Sequence, residues 1–474
     1  MNHMRTQKVT YDHYIDILKR KAELLTLSGR YQDSLKTLDQ ALFAATNAVL
    51  ENKNPTVEEA SIYVSIGTIN RLCGEYEKAV EGSQKGLLLI ESIGDVPERS
   101  RGNDVKNDAF NNLGIICQNQ GKYKEAIEYF QQYLKLAEVM GDKQGFGRAC
   151  GNMGSTYFDQ GEYDRAIDLY QKYLEISEQT GNKRAIGITN GNLGNIYFAR
   201  GDYDRALEFY KRDLIIAQEI GNRRETGIAT GNIANIHYAK GEYRQALEFY
   251  LRYSMTAMGI GDRFGYAMAS GNLGAVYKEL GLLDKSLEHF KSALEIFTLL
   301  NDRQGIGYCR FNIGTLSLDS GDTIGAEENL DLAEAVLLEI GDKSTLIETY
   351  WSKAGVAIAY SKDNPEELEK AGQYGGLALA LSQEIGSNSG KAGSLLVLGK
   401  IDRLAGIFHS AIDKIETAIK IYKTLGQKKR LAEAYDELSR LMIEAGEEAK
   451  AQENRKLAKA IFLDIGLGYD GESN

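Results

Sequence analysis

The sequence predicts an all-α protein, a solenoid of about eleven antiparallel helix hairpins stacked on one another. Two observations carry this expectation. The first is a count: 50 glycines but only 3 prolines, Pro55, Pro97 and Pro365, in 474 residues. Proline breaks helices through its missing N–H and its ring clash, so a chain this poor in it can be helical almost throughout. The surplus glycine then needs a regular task, such as ending helices in the left-handed conformation or letting helices approach closely. The second observation is a repeat. Gly121, Gly161, Gly201, Gly241, Gly281 and Gly321 are spaced by 40 residues. Gly141, Gly181, Gly221, Gly261, Asn301 and Gly341 keep the same step, as do Ala126, Ala166, Ala206, Ala246, Ser286 and Ala326.

The unit 183–221 shows how each element arises. Residues 183–199 carry Ile186, Thr189 or Asn190, Leu193, Ile196 and Tyr197, the i, i+3/4, i+7 spacing of one helix face. Gly201 then supplies the left-handed turn, and Asp202 is placed to cap the next helix. Residues 203–220 put Ala206, Leu207, Tyr210, Leu214, Ala217 and Ile220 on one face. Gly221 and Asn222 end that helix and cap its successor. One such hairpin cannot bury its own apolar face, so neighbours must stack.

The small and aromatic positions resemble the tetratricopeptide repeat: Leu193-Gly194, Tyr197, Ala206 and Tyr210, and again Met153-Gly154, Tyr157, Ala166 and Tyr170. Trp351, four residues before Gly355, stands where the motif's first aromatic would. The period of 40 rather than 34 residues and the missing proline after the second helix set this chain in the longer variety of the repeat. The resemblance implies a right-handed superhelix with a concave groove lined by the first helix of each hairpin.

Expected organisation is two repeats in 1–93, a linker-like connection at 94–106, six 40-residue repeats in 107–345, three repeats in 346–465 with a short insertion near 362–370, and a tail at 466–474. No long apolar run predicts a membrane span, and the polar N-terminus lacks the core of a signal peptide. Scattered Cys73, Cys117, Cys150 and Cys309, with no CxxC, argue against disulfides and a zinc site and fit a reducing cytoplasm. Net charge of −11 leaves no basic character for nucleic acid or anionic membrane. An elongated monomer follows, with end units able to stack across chains.

Enzymatic chemistry finds little support. His3, His13, His237, His289 and His409 form no HExxH or i, i+4 pair. The pattern Gly466-x-Gly468-x-x-Gly471 follows a helix instead of a strand, so it is not read as a nucleotide loop. No cofactor or metal is expected. Lys143, Lys183, Arg223, Arg263, Arg303 and Lys343 form a basic repeat. Its simplest reading is ion pairing with a glutamate of the preceding helix, such as Glu178 or Glu339. A basic edge for an acidic partner is the alternative.

The strongest functional signal is an asparagine ladder: Asn112, Asn152, Asn192, Asn232, Asn272 and Asn312, with Asn195 and Asn235 three residues further on. Asparagine is a poor mid-helix residue because its amide competes for the backbone. A row of amides offers donors and acceptors to the backbone of an extended peptide. The ladder resembles the asparagine rows of Pins-type polarity scaffolds and kinesin light chains, which bind partner segments. The alternative is bonding between stacked helices. Elsewhere the same position is read as Arg20, Ser65, Lys353, Val397 and Glu437. Arg148, Ile188, Ile228, Met268 and Tyr308, with Phe158, Phe198 and Tyr238, are candidates for specificity, the last three equally for inter-repeat core. The expected function is a non-catalytic scaffold or adaptor that binds a protein or peptide segment. A ligand-responsive sensor array controlling an effector is the alternative.

Overall fold

The computed structural model describes residues 2–50, 56–93 and 101–465, which hold 22 helices and, among those residues, no strand. The chain divides into two compact units, 1–221 and 222–474. The first contains α1 (Asn2–Leu27), α2 (Tyr31–Leu50), α3 (Val57–Leu72), α4 (Tyr76–Ile93), α5 (Arg101–Asn119), α6 (Tyr123–Met140), α7 (Lys143–Asp159), α8 (Tyr163–Gln179), α9 (Lys183–Ala199) and α10 (Tyr203–Glu219). The second contains α11 (Arg223–Ala239), α12 (Tyr243–Gly259), α13 (Arg263–Glu279), α14 (Leu283–Leu299), α15 (Arg303–Asp319), α16 (Thr323–Ile340), α17 (Lys343–Tyr360), α18 (Glu366–Glu384), α19 (Asn388–Leu404), α20 (Phe408–Leu425), α21 (Lys428–Glu444) and α22 (Glu448–Asp464). Odd-numbered helices are the first, or A, helix of a hairpin and even-numbered ones the B helix. No described helix is long and apolar enough to cross a membrane.

Caps account for the boundaries. Asp142, Asn182, Asn222, Asp262 and Asp342 each accept a hydrogen bond from the backbone N–H three residues on, at 2.9–3.3 Å. Asp202 caps α10 in the same way. The turn glycines lie at φ between 66° and 82°, and Asn301 takes the same left-handed conformation at 53°. Asparagine tolerates that region better than other side chains, so the break in the glycine series leaves the turn intact.

The hairpins are built on one close crossing. Each A helix places a small residue there: Ala22, Gly67, Gly114, Gly154, Gly194, Ala234, Gly274, Gly314, Ala354, Gly399 or Ser439. Opposite it the B helix presents a fully buried alanine or serine, from Ser34 and Ala79 to Ala411 and Ala451. A large B-helix side chain covers the small residue from above. A Cβ on Gly194 would lie 2.5 Å from the Tyr210 ring, and one on Gly274 2.9 Å from Phe290. Where serine replaces alanine its hydroxyl is satisfied across the crossing: Ser34 donates to the Ala22 carbonyl and Ser286 to the Gly274 carbonyl, both at 2.7 Å.

The expected linker, insertion and tail can each be placed against the described residues. Within the linker-like segment, 94–100 lie outside the described residues, but 101–106 are the start of α5. Val105 is buried there with Ala60, Val64 and Ile90, so a polar-looking stretch contributes to the core. The insertion is a turn at 361–364, and Pro365 precedes the first turn of α18, where its missing N–H costs nothing. The tail 466–474, with its Gly466-Gly468-Gly471 pattern, lies outside the described residues.

Replacing Gly194 by alanine gains helix propensity of about 0.5–1 kcal/mol but overpacks against Tyr210 at a cost of about 1–3 kcal/mol. The urea midpoint is expected to fall. Burial raises the hydroxyls of Tyr170, Tyr210 and Tyr250 well above the usual phenol value and pushes Tyr422 up to about 12. In the unfolded chain these groups ionise near pH ~10. Their neutral burial therefore adds stability that is fully present below that pH and is lost as pH rises beyond it. Alkaline titration should show phenolate absorbance rising together with loss of helical circular dichroism.

Candidate functional site

The inner positions of the A helices are those one step off the buried stripe, and the asparagine ladder occupies them. Its members divide into three groups. Asn112 is 3% exposed and donates to Thr68 Oγ1 at 2.6 Å, and Asn152 donates to Asn111 Oδ1 at 2.6 Å. Both bonds join neighbouring A helices, so these two amides hold the stack. Gln118, bonded to Ser155 and Asp159, does the same. Asn312 donates to the Tyr308 carbonyl of its own helix at 2.9 Å. Asn192, Asn232 and Asn272 are half-buried and have no hydrogen-bond partner among the described residues. Asn195 and Asn235 accept from the hydroxyls of Tyr210 and Tyr250, the B-helix rings at the crossing.

The other candidates are divided in the same way. Tyr308 packs edge-on against Phe290, and burial raises its hydroxyl above the usual phenol value. Arg148 is exposed and sits 4.0 Å from Asp142. Ile188 and Met268 are each 40% exposed, and Ile228 is half-buried. Phe158, Phe198 and Tyr238 pack across the hairpin turn onto Tyr163, Tyr203 and Tyr243.

Unit 222–474 contains a cavity of about 560 Å³ along these inner positions, within the ~300–1,000 Å³ range of ligand pockets. Ala275 of α13, Phe311, Asn312 and Leu318 of α15, and Trp351 of α17 line it, with Tyr238 at one end. The N-terminal turn of α21 closes the other side. There Lys429 Nζ lies 2.8 Å from Glu279, a residue 150 positions earlier in the chain.

Trp351 was not legible as a site residue. Counting from the cap Asp342 as from Asp302 puts Tyr350 at the motif's first aromatic position and turns Trp351 one step further round. There its Nε1 donates to Ser394 at 3.0 Å, and the Arg430 guanidinium lies 5.5 Å from its ring. The same count gives Ser352 as the ladder equivalent. Lys353 is instead buried between Asp331 and Glu334. Helix phase was the available signal, and the unusual turn at 361–364 obscured it.

Three members of the basic repeat, Lys183, Arg303 and Lys343, pair with the following helix, which corrects the expectation of a preceding glutamate. Lys183 meets Glu219 at 2.9 Å, Lys343 meets Glu384 at 2.6 Å, and Arg303 pairs with Glu339. In an antiparallel hairpin the start of helix A lies beside the end of helix B, so these cations also face the negative end of the B-helix dipole.

Of the residues considered for catalysis, His237 and His289 are packed, whereas His13 and His409 are exposed. His237 bonds Glu242 and stacks on Phe249, and His289 bonds Ser270 and stacks on Tyr277. Burial pushes the Cys150 thiol up to about 11 and that of Cys309 to about 12, far from a reactive thiolate.

The tetratricopeptide repeat family matches residues 106–179 and 185–254. The chain contains tetratricopeptide repeats. Among solved structures, aspartyl phosphate phosphatase F from Bacillus subtilis is similar in fold, with 14% identity and a TM-score of 0.52, over 79% of this chain and 98% of that one. A Rap protein complexed with competence and sporulation factor matches at 15% identity and a TM-score of 0.48, over 84% and 100% of the two chains. Kinesin light chain TPR-like repeats of Podosopora anserina match at 15% identity and a TM-score of 0.35, over 41% and 96%. No curated protein matches the sequence. In this tetratricopeptide array the ladder thus has separable parts. Asn112→Ala should cost about 1–2 kcal/mol by stranding its buried partners, whereas Asn272→Ala should stay within about 0.5 kcal/mol of the parent in thermal melts.

Proposed function

We propose that this protein is a non-catalytic interaction scaffold whose A-helix face captures a peptide segment of another protein. The observation that carries the reading is the set of half-buried amides without partners: Asn232 and Asn272 in unit 222–474, and Asn192 in the other unit. A half-buried amide left unpaired forfeits hydrogen bonds that a ligand backbone can supply. In the second unit the row continues through Asn312 into the cavity beside Trp351. This gives an extended segment a polar track and then an apolar seat.

A responsive array is the second reading, and the Lys429–Glu279 pair favours it. That pair joins α13 to α21 across the cavity. A segment entering the cavity competes with it and biases the spacing of the hairpins between them. On this reading hydrogen exchange in the first turn of α21 changes when a partner binds. Identical exchange in the free and bound protein would leave only the passive scaffold.

The ladder is tested with Asn232→Ala/Asn272→Ala, compared with the parent by pull-down and mass spectrometry after circular dichroism has shown both to be folded. Partners captured by the parent should be lost or weakened by roughly tenfold or more, the value of one to two well-made hydrogen bonds. Identical partner lists for the two proteins would make the ladder structural.

A further inference from the structure

The charges around the cavity are unequal in a way that bears on what it receives. Three cations line it, and each is already matched. Lys278 lies 3.4 Å from Asp319, Lys429 2.8 Å from Glu279, and Arg430 3.4 Å from Glu433. A fourth carboxylate, Glu348, also lines the cavity and has no ion pair among the described residues. It stands one turn before Ser352 on α17, on the same helix as Trp351. The remaining walls are aromatic and aliphatic apart from the uncharged polar side chains of Asn312, Thr315 and Ser352.

We infer that this cavity receives a cationic side chain, a lysine or arginine of the bound segment, with Glu348 as its counter-ion. The inference rests on the peptide-binding reading and names the side chain that reading leaves open. Three physical arguments carry it. An anionic group entering the cavity would meet cations that already face carboxylates, together with Glu348, which holds no ion pair and feels Arg430 only beyond ion-pair distance. A cationic group meets that carboxylate without displacing an existing pair. Long basic side chains also carry an aliphatic stem that packs on apolar walls while the charged head stays near solvent. Phe311, Leu318 and Ala275 offer that wall, and the exposed position of Glu348 keeps the pair near water. The desolvation cost that makes buried pairs unprofitable is thereby avoided.

The protein contains its own reporter. Trp351 is the single tryptophan of the chain and lines the cavity. The test titrates the full-length protein with three blocked nonapeptides of alternating glycine and leucine that differ only at the central residue: arginine, glutamine or glutamate. Binding is followed by Trp351 fluorescence and by calorimetry. The arginine peptide should bind tightest, with the glutamine peptide weaker by roughly two- to fivefold, the worth of one solvent-exposed charge pair. Glu348→Gln should remove the preference and Glu348→Lys should invert it in favour of glutamate, with circular dichroism unchanged because the residue is exposed.

Tightest binding of the glutamate peptide to the parent would overturn the proposal. So would an arginine preference that survives Glu348→Gln. If all three peptides bind equally, and binding still depends on Asn232 and Asn272, the basic-residue proposal fails and the peptide reading stands. If none binds and the alanine pair retains every cellular partner, both fail.

Discussion

The crossing of each A helix over its B helix sets the geometry of everything else. A glycine, alanine or serine on the A helix lies against a buried alanine or serine on the B helix. The backbones therefore approach closely enough for a serine hydroxyl to reach the carbonyl opposite, as Ser286 does to Gly274. That distance leaves room for one large ring per hairpin, such as Tyr210 or Phe290, directly above the small residue. With the crossing fixed, the phase of the A helix is fixed too, and with it the residues that face inward. Asn232, Asn272 and Asn312 share a face because Ala234, Gly274 and Gly314, two residues on, share the crossing.

Polar groups are then assigned by place. At the hairpin ends, where helix A begins beside the finish of helix B, cations meet carboxylates near a helix C-terminus. Such exposed pairs are worth at most about 1 kcal/mol each, so they trim the edge and do not hold the fold. On the inner face of the first unit, Asn112 and Asn152 bind neighbouring helices. On that of the second, Asn232 and Asn272 are left open and carboxylates outnumber cations around the cavity. One sequence position thus serves cohesion in some hairpins and is left without a partner in others. Thr68 and Asn111 on neighbouring helices accept from the first two amides, whereas among the described residues Asn192, Asn232 and Asn272 form no such bond.

Architecture was legible because it is periodic. Helix limits in 183–221 were read to within a residue from glycine spacing and capping residues, and the tetratricopeptide resemblance followed from Leu193-Gly194 and Ala206. Legibility ended where the site depends on contacts between residues far apart in sequence. Nothing local pairs Lys429 with Glu279. The tryptophan was visible but misplaced by one residue, which on a helix is a rotation of about 100° and the difference between packing inside and lining a cavity. The polar segment that opens α5 misled for a related reason: Val105 is buried by Val64 and Ile90, which its own neighbours do not reveal.

The pair between Glu279 and Lys429 has a consequence for how such a chain can change length. Repeat arrays gain and lose units readily, since each hairpin touches mainly its neighbours and like ends rejoin at matching turns. Between α13 and α21 that freedom is removed. The number of hairpins in this stretch decides where the first turn of α21 arrives, and one more or one fewer would carry Lys429 and Arg430 away from the cavity they border. Within this part of the solenoid, repeat number is itself a dimension of the cavity.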